Sequence, residues 1–290
     1  MNSQAPVRPA LHGAPQSGRS AAVVIGALIA VVMMGFAGFE IVGLTAQSRH
    51  HVAQLHYGSA ITAVDVQDRG SVRFVAGPPD AGVTVRRTVI ESMFSVHPSA
   101  SVDGTTLTLA GGCSGWQLTG RCSVNYVVSM PPGTAIRAQL RRGDVSVSGV
   151  AGPVTISTSS GDVDATDLSG AVSLQTDSGD ITADDVGGRG VRLKTGSGDV
   201  TATRVHAARV SAETGSGSVS LAFTTPPAAV LADTGSGDAT VAVPRGPRIY
   251  GVTADTGSGN RRVDVATNSS SPYTIVLRTG SGDATAKYAP

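Results

Sequence analysis

The sequence predicts an all-β protein: a parallel β-solenoid (β-helix) of ~19-residue coils, preceded by one N-terminal transmembrane helix. Three observations carry the solenoid. A five-residue phrase recurs at near-constant spacing. Apolar and polar residues alternate on both sides of it. Equivalent positions in successive copies hold the same kind of residue.

The phrase is "TSSGD" at 158–162, "TDSGD" at 176–180, "TGSGD" at 195–199, "TGSGS" at 214–218, "TGSGD" at 234–238, "TGSGN" at 256–260 and "TGSGD" at 279–283. "RRGDV" at 141–145 is a degenerate first copy, with Asp144 in the anchor position. From one anchor to the next the steps are 18, 18, 19, 19, 20, 22 and 23 residues. A period of that size marks a repeat architecture.

Before the phrase, one apolar column runs Val154, Val172, Val191, Val210, Val230, Val252 and Ile275. A second runs Ile156, Leu174, Leu193, Ala212, Ala232, Ala254 and Leu277. Polar residues stand next to the second column, from Ser157 to Arg278. After the phrase, Val163, Ile181, Val200, Val219 and Ala239 alternate with Asp164, Thr182, Thr201, Ser220 and Thr240. Period-two alternation is the mark of a strand with one buried face. Each repeat therefore reads as strand, corner, strand, turn.

An antiparallel meander with hairpin tips at "SGD" would also fit this reading. The solenoid is the expectation because parallel stacking sets identical positions about 4.8 Å above one another. That gives strict columns a reason, which a meander does not. Composition agrees with mostly β structure: of 21 acidic residues 18 are Asp, of 22 basic residues 20 are Arg, and Gly numbers 37. Such a chain is poor in helix formers and rich in turn formers.

The corner phrase reads first as structure. Gly supplies positive φ, and Ser and Asp can bond nearby backbone N–H groups. Thr158, Thr176, Thr195, Thr214, Thr234, Thr256 and Thr279 would form a hydroxyl ladder inside the corner. A functional reading of the same row is calcium, bound by Asp144, Asp162, Asp180, Asp199, Asp238 and Asp283. The calcium-binding β-roll repeat, however, has one more residue between Gly and Asp, and Ser218 and Asn260 interrupt the row here. No cofactor is expected, with Ca2+ the alternative. "GSG" is not a phosphate loop, since no "GK[ST]" follows. "RGD" within "RRGDV" is the degenerate first turn. The repeat region holds one histidine, His206, and no clustered acid pair, so an enzyme is not expected.

Residues 1–20 read as a disordered tail. Residues 21–44 read as a transmembrane helix, with "AAVVIGALIAVVMMGFAGF" free of charge over 19 positions, about 28 Å of helix. A cleaved signal peptide is the alternative, but the apolar run is long for one and Leu44 is a poor exit residue. Residues 45–60 read as a linker, 61–139 as irregular N-terminal coils forming a cap, and 140–290 as regular repeats. The cysteines, Cys113 and Cys122, lie nine apart in a β-rich stretch and read as a disulfide, with free thiols as the alternative. A disulfide implies an oxidising compartment, which would put the repeats outside the membrane. Lys287, Tyr288 and Pro290 are expected to blunt the far edge of the stack.

The repeated "TxSGDV" phrase follows a "VxLxT" strand and the lead-in "MPPGT" at 130–134. This pattern resembles the bacterial β-strand-repeat domain known as a "putative adhesin" of unknown function, in its membrane-anchored actinobacterial form. The likeness covers roughly residues 60–290. It implies a β-solenoid at the cell surface and supplies no reaction and no catalytic residues.

Net charge is +1, which offers no basic face for nucleic acid, and aromatic content is 4%, too low for base-stacking platforms. The expected function is a non-enzymatic, membrane-anchored extracytoplasmic module that binds an envelope or surface ligand. The alternatives are an envelope-sensing ectodomain and a calcium-binding β-roll-like protein.

Overall fold

The computed structural model describes residues 49–91, 97–111 and 123–290. The expected tail, the expected transmembrane helix at 21–44 and the Cys113–Cys122 disulfide all lie outside the described residues. Those residues are all-β. An irregular N-terminal group comprises β1 (Arg49–Tyr57), β2 (Ala63–Arg69), β3 (Val72–Ala76), β4 (Val83–Glu91), β5 (Ser99–Asp103), β6 (Thr106–Ala110) and β7 (Ser123–Met130). The regular coils begin with β8 (Ala135–Arg142), β9 (Val145–Ser148), β10 (Val154–Ser160), β11 (Val163–Leu168), β12 (Val172–Ser178), β13 (Ile181–Val186), β14 (Val191–Ser197) and β15 (Val200–Val205). They continue with β16 (Arg209–Ser216), β17 (Val219–Phe223), β18 (Ala229–Ser236), β19 (Ala239–Val243), β20 (Gly251–Ser258), β21 (Arg261–Val263), β22 (Thr274–Ser281) and β23 (Ala284–Tyr288).

Each regular coil sends one strand to each of two sheets. Sheet A runs β1-β4-β7-β3-β9-β11-β13-β15-β17-β19-β23-β21, and sheet B runs β20-β22-β18-β16-β14-β12-β10-β8-β2-β6-β5. Successive coils pair in parallel and in register: Val154 meets Val172, Ile156 meets Leu174, and Thr158 meets Thr176. The meander is therefore excluded, and the columns of the sequence are columns in space.

The inward columns build one continuous core. Its layers keep their volume by pairing a large with a small residue. Ile156, Leu174 and Leu193 on sheet B share coils with Ala165, Ala183 and Ala202 on sheet A, all buried. In the next two coils the sizes exchange, with Ala212 and Ala232 matched by Leu221 and Val241. Cores of native density need such compensation.

The corner glycines explain the invariant "SG". Gly143, Gly161, Gly179, Gly198, Gly217, Gly237, Gly259 and Gly282 all have positive φ, between 123° and 145°. A Cβ on Gly198 would stand 2.1 Å from the carbonyl oxygen of Gly179, one coil away. Only glycine provides both the backbone angle and the close approach.

Both ends depart from sequence order. The coil β6–β7 packs outside β2–β3, so the chain's first coil is internal. The last coil, β22–β23, inserts between β18–β19 and β20–β21. The far edge is thus β20 and β21, not the Lys287–Pro290 segment, and the expected role of that segment as an edge blocker is corrected. The reason lies in the side chains. Ile275, Leu277, Ala284 and Ala286 are fully buried in the inserted coil. The outer coil puts Arg261 in the column that elsewhere holds Val, Ile or Ala, and an internal position would bury that charge. From the edge, the Arg261 guanidinium instead donates to the Thr256 carbonyl at 3.3 Å. A charged residue on an edge strand also discourages further pairing.

At the other end, Arg49–Tyr57, read as part of a linker, forms β1 and pairs antiparallel with β4. β4 itself runs antiparallel to β7. The polar, His-rich "RHHVAQLHY" hides this strand from a reading based on hydrophobic runs, because only its inner face touches the core.

Candidate functional site

Two side-chain ladders run along the "SGD" corner. In the first, the oxygen of each anchor residue accepts the backbone N–H of the anchor in the next coil. Asp144 takes that of Asp162 at 3.1 Å, Asp162 that of Asp180 at 2.9 Å, and Asp180 that of Asp199 at 2.8 Å. Asp199 takes that of Ser218 at 2.7 Å, and the Ser218 hydroxyl takes that of Asp238 at 3.3 Å. Asp238 then serves Asp283, and Asp283 serves Asn260, both at 2.8 Å. At the near end the row extends to Ser71, which accepts from Asp144 N–H at 3.2 Å, and to Asn125, which accepts from Ser71 N–H at 3.0 Å.

The ladder follows spatial order, not sequence order. Asn260 stands last because its coil is the outermost, so its side chain has no further anchor amide to serve. Its amide instead donates back to Asp283 at 3.2 Å. A neutral amide there avoids an unpartnered charge beside Asp283. Ser218 interrupts the run of carboxylates yet keeps an acceptor in place. Both departures from Asp are thereby explained. Ser71 stands in "RGSV" at 69–72, which repeats the corner of "RGDV" at 142–145 and of "GSV" at 217–219 but lies outside the regular period, whereas the only signal for Asn125 is a polar residue beside an apolar strand.

In the second ladder each Thr hydroxyl donates to a corner glycine carbonyl of the neighbouring coil. Thr176 bonds Gly161 at 3.0 Å, Thr195 bonds Gly179 at 2.9 Å, Thr214 bonds Gly198 at 2.9 Å and Thr234 bonds Gly217 at 2.7 Å. Thr279 bonds Gly237 and Thr256 bonds Gly282, both at 2.8 Å, while Thr158 makes the longest contact, to Gly143 at 3.4 Å. These hydroxyls are buried except for that of Thr256 in the outer coil.

The geometry assigns the Asp row to holding coils together. Its carboxylates point the same way along the stack, each accepting the anchor amide of the next coil, rather than converging on a common point as calcium ligands do. Among the described residues no group of three or more His, Cys, Asp or Glu is arranged to hold a metal ion.

The outer face of sheet A carries a different row. Register places Ser146, Asp164, Thr182, Thr201, Ser220, Thr240 and Thr285 side by side on consecutive strands. All are exposed or half-buried. Burial, then the nearby Asp162 and Asp144 carboxylates, push the Asp164 carboxyl above its ordinary value. At the other margin of this sheet Asp167, Asp185 and Arg204 take left-handed φ of 55°, 55° and 50° at equivalent positions. There the Thr203 hydroxyl and the Arg204 guanidinium both reach Asp184, and His206 lies 3.5 Å from Asp185. His206 covers Gly187, where any Cβ would collide with the imidazole.

A family model, Toastrack DUF4097, matches residues 90–287. The chain belongs to the Toastrack DUF4097 family. Its fold is similar to that of a "putative adhesin" from Bacteroides fragilis NCTC 9343, with a TM-score of 0.52 and 15% identity over 84% of this chain and 99% of that one. At that identity the likeness shows the fold alone. A "putative lipid binding protein" from Parabacteroides distasonis ATCC 8503 aligns with a TM-score of 0.43 and 10% identity, over 83% of this chain and 97% of that one. A "putative adhesin" from Parabacteroides merdae ATCC 43184 aligns with a TM-score of 0.34 and 12% identity, over the same shares. No curated protein matches the chain.

Proposed function

We propose that this Toastrack chain is a non-enzymatic, adhesin-like binding module, anchored in the cell membrane through residues 21–44 and displayed on the extracytoplasmic side. The observation that carries the binding role is the row on sheet A. Seven strands in register present Ser, Thr and Asp side chains on one face with the strand spacing of a sheet, about 4.8 Å. Strands fixed at both corners by hydrogen bonds and a packed core need little ordering to meet a long partner, which lowers the entropic cost of binding. Hydroxyls both donate and accept, so such a row suits a repetitive polar polymer of the envelope. The name "putative adhesin" of the Bacteroides fragilis fold neighbour agrees with this reading. The anchor is supported by the uncharged 19-residue run in the sequence.

The test is replacement of Asp164, Thr182, Thr201, Ser220 and Thr240 by Ala in one variant. Binding of the full chain to isolated wall and membrane fractions should fall while the circular dichroism spectrum shows the β fold retained. Undiminished binding would remove this face from consideration. Topology is tested by Ser236→Cys with a membrane-impermeant thiol reagent on intact cells. Labelling only after lysis would refute the extracytoplasmic placement.

A further inference from the structure

A concave site lies on the outer face of sheet B, away from both ladders and from the sheet A row. Strands β6, β2, β8 and β10 lie side by side there. Register sets Thr106, Ala63 and Ala135 in one outward row, and Thr108, Asp65, Arg137 and Thr155 in the next. The two alanines leave a depression of about 370 Å³, bounded by Thr106 and Pro153 and containing Asp65 and Arg137.

The charges in this groove are unusual for a sheet face. Asp65 and Arg137 are direct register partners on adjacent strands. Opposite charges so placed normally pair, yet among the described residues no ion pair joins either of them to any group. The Asp65 carboxylate receives one hydrogen bond, from the Gln67 amide at 3.2 Å. Its other oxygen, Oδ1, is shielded from solvent and has no donor. A shielded carboxylate oxygen without a donor is costly and asks for a partner. Rotation about χ2, which is broad for Asp, can present either oxygen to the groove.

We propose that this groove binds a short zwitterionic peptide with small side chains. Its terminal ammonium donates to Asp65, its carboxylate accepts from the Arg137 guanidinium, and its methyl groups lie over Ala63, Ala135 and Pro153. Three features select this ligand. The groove carries one charge of each sign, so a partner with both satisfies it and a partner with one leaves the other charge unmet. The guanidinium fork matches a carboxylate in two-point contact. The termini of a dipeptide lie roughly 6–7 Å apart, a span that side chains on strands about 4.8 Å apart can bridge.

The probe is alanyl-alanine, titrated by calorimetry into the full chain in detergent. Saturable binding is expected, weakened about tenfold or more by Asp65→Asn and by Arg137→Gln. Ala135→Leu fills the floor without touching either charge and should abolish binding. N-acetyl-alanyl-alanine and alanyl-alanine amide, each lacking one terminal charge, should lose affinity by a similar factor. Tetra-alanine separates the sources: its termini stand too far apart to meet both charges, so binding equal to that of the dipeptide would overturn the two-ended contact. Absence of saturable binding to the wild-type chain, or binding unchanged in both charge variants, would overturn the site. Circular dichroism on each variant confirms that the fold is retained, as expected for outward-facing positions. Failure here would leave the sheet A reading untouched, because that test uses other residues and other ligands.

Discussion

Gly198→Ala tests the corner geometry that the whole stack depends on. Gly198 has φ +139°, and an added Cβ would stand 2.1 Å from the Gly179 oxygen, 2.7 Å from its carbon and 2.8 Å from Asp180 Oδ1. Holding a non-glycine residue at such a φ costs about 1–3 kcal/mol. The overlap is with backbone one coil away, so it is relieved only by parting the two coils at the corner. That weakens the Asp199 amide bond to Asp180 and the Thr195 hydroxyl bond to Gly179. Each is worth about 1 kcal/mol. The sum is about 3–5 kcal/mol, a fall in melting temperature of roughly 6–20 °C for a domain of this size. Gly190, at the opposite turn, is the internal control: nothing lies within 4 Å of its added Cβ. Gly190→Ala should stay within about 1 kcal/mol of the parent. Thermal unfolding followed by circular dichroism measures both. If Gly198→Ala melts together with Gly190→Ala, the coils are not in the close contact described.

Four further outcomes are expected. Leu193→Ala should cost about 2–5 kcal/mol in chemical denaturation, and adding Ala202→Leu should restore a large part of it, as the exchange of sizes in the next coil implies; no rescue would refute volume compensation within a layer. The inserted last coil is tested by crosslinking: paired cysteines at Ser236 and Ser281, which are register partners, should join under oxidation, whereas a Ser236 and Ser258 pair should not. Asp164→Asn should raise the melting temperature at neutral pH, with the gain shrinking on acidification. The sign follows from the raised folded-state value: an acid harder to ionise when folded destabilises the fold while charged, and protonation removes that penalty as the pH falls through the folded value toward the ordinary one. Finally, millimolar Ca2+ should leave the melting temperature unchanged, because the ladder carboxylates already accept backbone amides; a rise of several degrees would restore the calcium reading.

The sequence by itself determined the coil. The phrase fixed the corner, the alternation fixed which side chains face inward, and the columns fixed parallel stacking, because only stacked coils make Val follow Val and Thr follow Thr. The Thr ladder was legible for the same reason. Even the size exchange between Ala202 and Leu221 can be read by placing two columns side by side. Tertiary structure decided the order of the coils and the purpose of the Asp row. A parallel register accepts any coil on any other, so periodicity cannot say which coil lies outermost. Arg261 in an apolar column and Asn260 in place of Asp marked the copy at 256–260 as the end, but both gained meaning only once the copy at 279–283 was seen inserted beneath it. Whether a row of carboxylates converges on an ion or points along the stack depends on side-chain direction, which spacing does not encode. The groove at Asp65 and Arg137 was hidden for a related reason. Asp65 and Arg137 stand 72 positions apart in the chain (137 − 65), and they meet only because β2 is drawn between β6 and β8.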